Sequence, residues 1–162
     1  MRIKDLPLKK ATRFTLIVLI LSMAGLTNAF AHDFEGDNLL YTITSTNPPT
    51  VSLDGHVDGT DFEDELFIPS SVSYEGVIYA VTEISANAFE NYSLMYGDLV
   101  IPGSVTTIGD YAFYNCSGLD GTLTIGEAVT SIGSYAFANL FGMTTQLSIP
   151  NSVTQMGNHT FA

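Results

Sequence analysis

Apolar and polar positions in the second half of the chain recur with a fixed step. Val81-Thr82-Glu83-Ile84 returns as Val105-Thr106-Thr107-Ile108, as Val129-Thr130-Ser131-Ile132 and as Val153-Thr154-Gln155-Met156. Ala88-Phe89 returns as Ala112-Phe113, Ala136-Phe137 and Thr160-Phe161. Leu99, Leu123 and Leu147 form a further column, as do Ile101, Ile125 and Ile149. Each step is 24 residues. A coil of this size has too little apolar surface to fold alone, so the pattern predicts a β-rich solenoid whose coils stack and share one core. Leu-x-Ile has a period of two and predicts a short strand with those side chains inward, paired in parallel from coil to coil. Pro102 and Pro150 then end the ladder at a corner, because proline offers no N–H. Val and Ile of Val-Thr-x-Ile give a second inward contact on the return side. The phenylalanines fill the wide part of the core, and the alanines beside them leave room for the rings. Gly109, Gly133 and Gly157 are expected to turn the chain with positive φ.

The pattern starts earlier with a different step. Leu66-Phe67-Ile68-Pro69-Ser70-Ser71-Val72 matches Leu99-Val100-Ile101-Pro102-Gly103-Ser104-Val105, with extra residues inserted before Val81. Within them, Glu75-Gly76 between β-formers predicts a hairpin. Residues 39–44 and 50–53 read as two strands joined by a turn through Asn47-Pro48-Pro49. We therefore expect an N-terminal β cap with an acidic loop over residues 32–65. A leucine-rich-repeat stack follows over residues 66–162.

Residues 1–31 read differently. Arg2, Lys4, Lys9, Lys10 and Arg13 precede an uncharged apolar run from Phe14 to about Leu26, and Ala29-Phe30-Ala31 follows. This order is that of a secretory signal peptide with cleavage after Ala31. The run is short for a membrane span, which needs about 20 apolar residues; an uncleaved anchor is the alternative. The assignment changes the charge of what remains. The chain has 5 Lys and Arg and 17 Asp and Glu. All the former lie before residue 14, and of the latter only Asp5 does. Residues 32–162 are thus acidic and without Lys or Arg. Binding to nucleic acid or to an anionic membrane surface needs cationic side chains, so neither partner is expected. Cationic ligands, metal ions and neutral sugars stay open.

Few residues carry candidate chemistry. Residues 54–65 fit a calcium loop at Asp54, Asp58, Gly59 and Glu65, but depart from it at His56 and Asp61, and strands flank it where helices should. Asp54, Asp58 and Glu65 are the candidate metal ligands, calcium the only cofactor considered, and a solvated acidic loop the alternative. Asn91, Asn115 and Asn139 form a column expected to turn inward and bond the backbone of adjacent coils. The first two, with Asn158, also fit the glycosylation acceptor pattern. Cys116 is single and has no cation to activate it, which makes it a packing residue. His32, His56 and His159 are too scattered for zinc. Tyr111, Tyr135 and His159 form a column beside the inward phenylalanines and are expected to face out, covering the coil edge or stacking on a sugar. No nucleophile elbow, phosphate loop or hydrolase motif appears, and no enzyme activity is expected.

The recurring Leu-x-Ile-Pro-x-Ser-Val-Thr-x-Ile-Gly-x-x-Ala-Phe-x-Asn-Cys, best matched from Leu99 to Leu119, resembles the BspA-like leucine-rich-repeat family over about residues 66–162. Tyr74-Glu75-Gly76-Val77-Ile78-Tyr79 also looks like the first coil of that family. The resemblance implies a secreted or surface-exposed protein, and for some members a role in adhesion to matrix proteins. We expect a binding or adhesion module that meets a protein or glycan partner at outward strand positions: Asp98, Val100, Thr122, Thr124, Gln146 and Ser148. The alternative is a structural N-terminal fragment of a longer repeat protein, with recognition elsewhere. Leu147, Ile149, Val153, Met156 and Phe161 would leave an apolar last layer, from which self-association is expected.

Overall fold

The computed structural model describes residues 32–57, 65–143 and 147–162. The assigned signal peptide, Asp58 and Gln146 lie outside them. The described residues form a β-rich repeat fold. The N-terminal part comprises β1 (Phe34–Gly36), β2 (Leu39–Thr46) and β3 (Pro49–His56). A hairpin of β4 (Ser71–Tyr74) and β5 (Val77–Ile84) follows. Beyond it lie five two-residue strands: β6 (Leu99–Val100), β7 (Thr107–Ile108), β8 (Leu123–Thr124), β9 (Ser131–Ile132) and β10 (Gln155–Met156).

Both expected hairpins form. The turn between β2 and β3 runs through Asn47 and Pro48, joined by a cis peptide bond. Glu75 and Gly76 both have positive φ, 50° and 80°, the geometry that a two-residue turn needs to match the twist of its strands. Asp37 and Asn38 do the same between β1 and β2, at 51° and 62°. Sequence reading passed over that short strand.

The repeats pair as their spacing requires, but the two strand columns are unequal. The longer sheet runs along the Val-Thr-x-Ile column, in the order β1-β2-β3-β5-β7-β9-β10. β5, β7, β9 and β10 are all parallel, with Ile84, Ile108, Ile132 and Met156 in register. The N-terminal hairpin joins this sheet directly, Val51 opposite Val81. Leu-x-Ile, expected to pair in parallel from coil to coil, gives among the described residues β6 paired with β8 and one bridge from Thr124 to Ser148. Three of the four Val-Thr-x-Ile threonines add a bond: Thr106, Thr130 and Thr154 donate their hydroxyls to the carbonyls of Thr82, Thr106 and Thr130.

One core runs through the stack. Leu99, Val105, Ile108, Phe113 and Val129 are all at most 1% exposed. Phe89, Phe113, Phe137 and Phe161 stack nearly parallel, with centroids 5.3–5.5 Å apart. Cys116 is buried and its thiol donates to the Phe89 carbonyl at 3.0 Å, as a packing residue should. The core weakens at the last coil. Leu123, Ile125 and Ile132 are 9%, 5% and 1% exposed; their counterparts Leu147, Ile149 and Met156 are 38%, 41% and 46% exposed.

Two expectations are corrected. Gly109, Gly133 and Gly157 do not have positive φ. They are small because the preceding coil passes too close: a Cβ on each would collide with the backbone N of Ala86, Asp110 or Ser134. The left-handed residues are instead Asn87, Asn91, Tyr111, Asn115, Tyr135, Asn139 and His159, with φ of 57–67°. In the same turns every second N–H points along the stack, so that Tyr111, Phe113 and Asn115 donate to the carbonyls of Ser134, Ala136 and Ala138. Asparagine tolerates this conformation because its short side chain hydrogen-bonds locally. Nor is the asparagine column turned inward. Asn91 is exposed, and Asn115 Nδ2 donates to its Oδ1 at 3.0 Å along the outside of the stack.

Candidate functional site

Among the described residues, three outward positions of the Leu-x-Ile strands come together. Val100 lies opposite Thr124, and Thr124 bridges to Ser148, so that all three form one exposed column. The alternation places Leu99, Ile101, Leu123 and Ile125 in the core and their neighbours in solvent. Asp98 and Thr122 lie at the strand starts and touch: the Thr122 N–H donates to Asp98 Oδ1 at 2.6 Å. Asp98 is therefore a joint between coils as well as an exposed carboxylate. The same joint recurs where Ser134 N–H meets Asp110 Oδ1 at 2.6 Å, and where Gly97 N–H meets Asp120 Oδ1 at 3.0 Å.

Sequence reading missed the N-terminal end of this column. Phe67 is 79% exposed, and Val100 and Tyr96 are 51% and 50% exposed. Glu65 forms a parallel bridge with Tyr96. Between these segments lies a cavity of about 370 Å³ lined by Glu65, Leu66, Phe67, Ile68, Asp98 and Val100. Its signal was present in the sequence: the match of Leu66-Phe67-Ile68 to Leu99-Val100-Ile101 puts Phe67 in the outward column.

The tyrosine column forms an outer ladder. Tyr111 stacks on Tyr135 and Tyr135 on His159, both at 5.0 Å and within 9° of parallel. Tyr111 and Tyr135 are half-buried and His159 is exposed. Stacking on one another occupies the ring faces that a sugar would use.

Of the calcium candidates, Asp54 and Glu65 fall among the described residues. Asp54 accepts from three hydroxyls: Thr42 at 2.5 Å on Oδ2, and Ser52 at 2.8 Å and Ser85 at 2.5 Å on Oδ1. It ties β2, β3 and the end of β5 together. Glu65 stands at the bridge to Tyr96, and Asp58 lies outside the described residues. No group of three or more His, Cys, Asp or Glu able to hold a metal occurs among the described residues.

Titration is shifted clearly at two tyrosines, both in the N-terminal part. Burial, reinforced by Asp37, pushes Tyr41 up to about 12. Glu75 raises Tyr74, with smaller contributions from burial and from Asp33. The Tyr41 hydroxyl is buried without a hydrogen-bond partner among the described residues.

A stack of parallel strands carrying leucine and isoleucine columns defines a leucine-rich-repeat protein. The model of the BspA-type leucine-rich repeat region matches residues 82–162, half of the chain. This chain belongs to that family. It is similar to a leucine-rich repeat protein from Bacteroides capillosus, at 28% identity and a TM-score of 0.59, over 78% of this chain and 92% of the other. It is also similar to one from Bacteroides ovatus, at 27% identity and a TM-score of 0.65, over 80% of this chain and 38% of the other. The T. pallidum leucine-rich repeat protein shares the fold at 18% identity and a TM-score of 0.58, over 78% of this chain and 65% of that one. No curated protein matches the chain.

Proposed function

We propose that this chain is a binding module of the cell exterior. Residues 1–31 direct export and are removed, leaving a mature start at His32. The N-terminal hairpin caps a solenoid of 24-residue coils, and the solenoid serves as a scaffold. Its outward strand face, from Phe67 through Val100 and Thr124 to Ser148, meets a protein or glycan partner and serves adhesion. The reading rests on one observation: the register lines Val100, Thr124 and Ser148 into an exposed column, with Phe67 exposed on the same cavity as Val100, while Leu99, Ile101, Leu123 and Ile125 hold the core. Scaffold and recognition are thus divided residue by residue. The proposed chemistry is recognition without catalysis.

Residues 32–162 presented to immobilised matrix proteins and neutral glycans test the reading, with a bulky substitution on the face. Thr124→Tyr should abolish whatever binding the parent shows, and Glu127→Tyr, in an exposed turn off the face, should retain it. Binding equal in parent and Thr124→Tyr would contradict the assignment.

A further inference from the structure

The strand face is not uniform, and its N-terminal end has a chemistry of its own. We infer that the cavity bounded by Glu65, Phe67, Asp98 and Val100 takes an extended basic segment of a partner protein, with an Arg or Lys beside a bulky apolar side chain. The inference rests on the strand face being the binding surface.

Charge is the first argument. Among the described residues, both charged side chains lining the cavity are carboxylates, and residues 32–162 contain no Lys or Arg. A Lys or Arg that complements them must come from another molecule. A second copy of residues 32–162 is as acidic as the first and is repelled. Apolar exposure is the second. Phe67 stands 79% and Val100 51% exposed on the same cavity. An arginine or lysine can lay its stem on such a ring while its charged head reaches the carboxylates. Backbone geometry is the third. β6 pairs with β8 on one side. On the other, the bridge from Glu65 to Tyr96 is the only pairing toward residues 65–68 among the described residues. An extended chain finds the backbone groups of residues 66–68 there to bond. The volume of about 370 Å³ falls within the range of pockets that hold a ligand, roughly 300–1,000 Å³.

The probes are three synthetic peptides of one length, alternating Leu with Arg, Gln or Glu, measured by fluorescence anisotropy against residues 32–162. The Arg peptide should bind at least about tenfold tighter than the Gln peptide, and the Glu peptide should not bind. Two variants test the place. Glu65→Gln with Asp98→Asn removes both charges. The amide oxygen introduced by Asp98→Asn can still accept from the Thr122 N–H, so the coil joint survives. Phe67→Ser removes the exposed ring. Each should weaken the Arg peptide about tenfold. Glu127→Gln removes one such charge from an exposed turn away from the cavity and should change affinity less than about twofold. Equal weakening by Glu127→Gln would show diffuse attraction and overturn the site, as would indifference to Phe67→Ser. Loss of Arg-peptide binding in Thr124→Tyr together with indifference to the cavity variants would move the site along the face, leaving the strand-face reading intact. Indifference to all of them would end both. Binding of a neutral polysaccharide that Phe67→Ser abolishes and Glu65→Gln/Asp98→Asn spares would also overturn the basic partner.

Discussion

The inward and outward columns of the same strands obey different rules. Leu99 and Leu123 repeat the same residue, as do Ile101 and Ile125, because each packs on its own counterpart one coil away. Phe89, Phe113 and Phe137 stack for the same reason. The outward column has no such neighbour constraint. It runs from Val100 through Thr124 to Ser148, with the exposed ring of Phe67 on the cavity beside Val100 and a small hydroxyl at the other end. Stacking fixes what faces in. What faces out is free to differ along the stack, and the acidic, aromatic end is where it differs most.

The comparison breaks first at the centre of the core. Phe113 is fully buried between two parallel rings. Phe113→Ala should cost about 3–5 kcal/mol through the cavity it leaves, read by urea unfolding of residues 32–162. A loss below about 1 kcal/mol would mean that the ring does not hold the stack.

Gly133 tests the close approach of successive coils. A Cβ there collides with the backbone of Gly109 and Asp110, which cannot move aside without breaking the ladder. Gly133→Ala should destabilise by about 1–3 kcal/mol, as overpacking does, although the glycine has no positive φ. An unchanged unfolding midpoint would contradict this.

Asp54 sharpens the contrast between a structural carboxylate and a ligand-binding one. Asp54→Ala strips the acceptor from three hydroxyls and should cost about 2 kcal/mol. Calcium calorimetry on the parent should show no sub-millimolar site. A site lost in both Asp54→Ala and Asp58→Ala would restore the loop to the binding machinery.

Outward changes should be nearly silent in stability. Phe67→Ser should shift unfolding by less than about 0.5 kcal/mol, because a side chain 79% exposed has little burial to lose. A large loss would make Phe67 a core residue and remove it from the site.

Tyr41 gives the smallest effect at neutral pH. Its hydroxyl is buried without a partner among the described residues, so Tyr41→Phe should leave stability unchanged or slightly improved. The difference appears in alkali. The folded-state pKa is raised from 10.0 to about 12. The unfolded chain therefore loses this proton first, and stability falls as pH rises through that interval. Tyr41→Phe should flatten that part of the fall. An identical profile in the variant would place the titration elsewhere.

Much of this was legible because stacking writes its demands directly into sequence. The Leu, Ile, Val and Phe columns, the Glu75-Gly76 and Asn47-Pro48 turns and the exposure of Val100, Thr124 and Ser148 all follow from period and turn chemistry. The left-handed turns at Tyr111 and Tyr135 were hidden, since tyrosine is not a residue that announces positive φ. The glycines misled because a close approach between coils selects the same residue as a left-handed bend. The hydroxyls on Asp54 were hidden because they come from three separate segments and leave no local pattern around it. Phe67 was in view but sat behind the inserted hairpin, which breaks the period that would have marked its column.

The central claim is that the outward strand face meets the partner while the inward face only holds it in place. Hydrogen exchange of residues 32–162, with and without the saturating Arg-containing peptide, tests it most directly. Added protection should concentrate in the backbone of residues 65–68 and 96–101 and extend weakly to 122–124. Protection confined to the opposite side of the coil, at residues 105–108 and 129–132, would contradict the account.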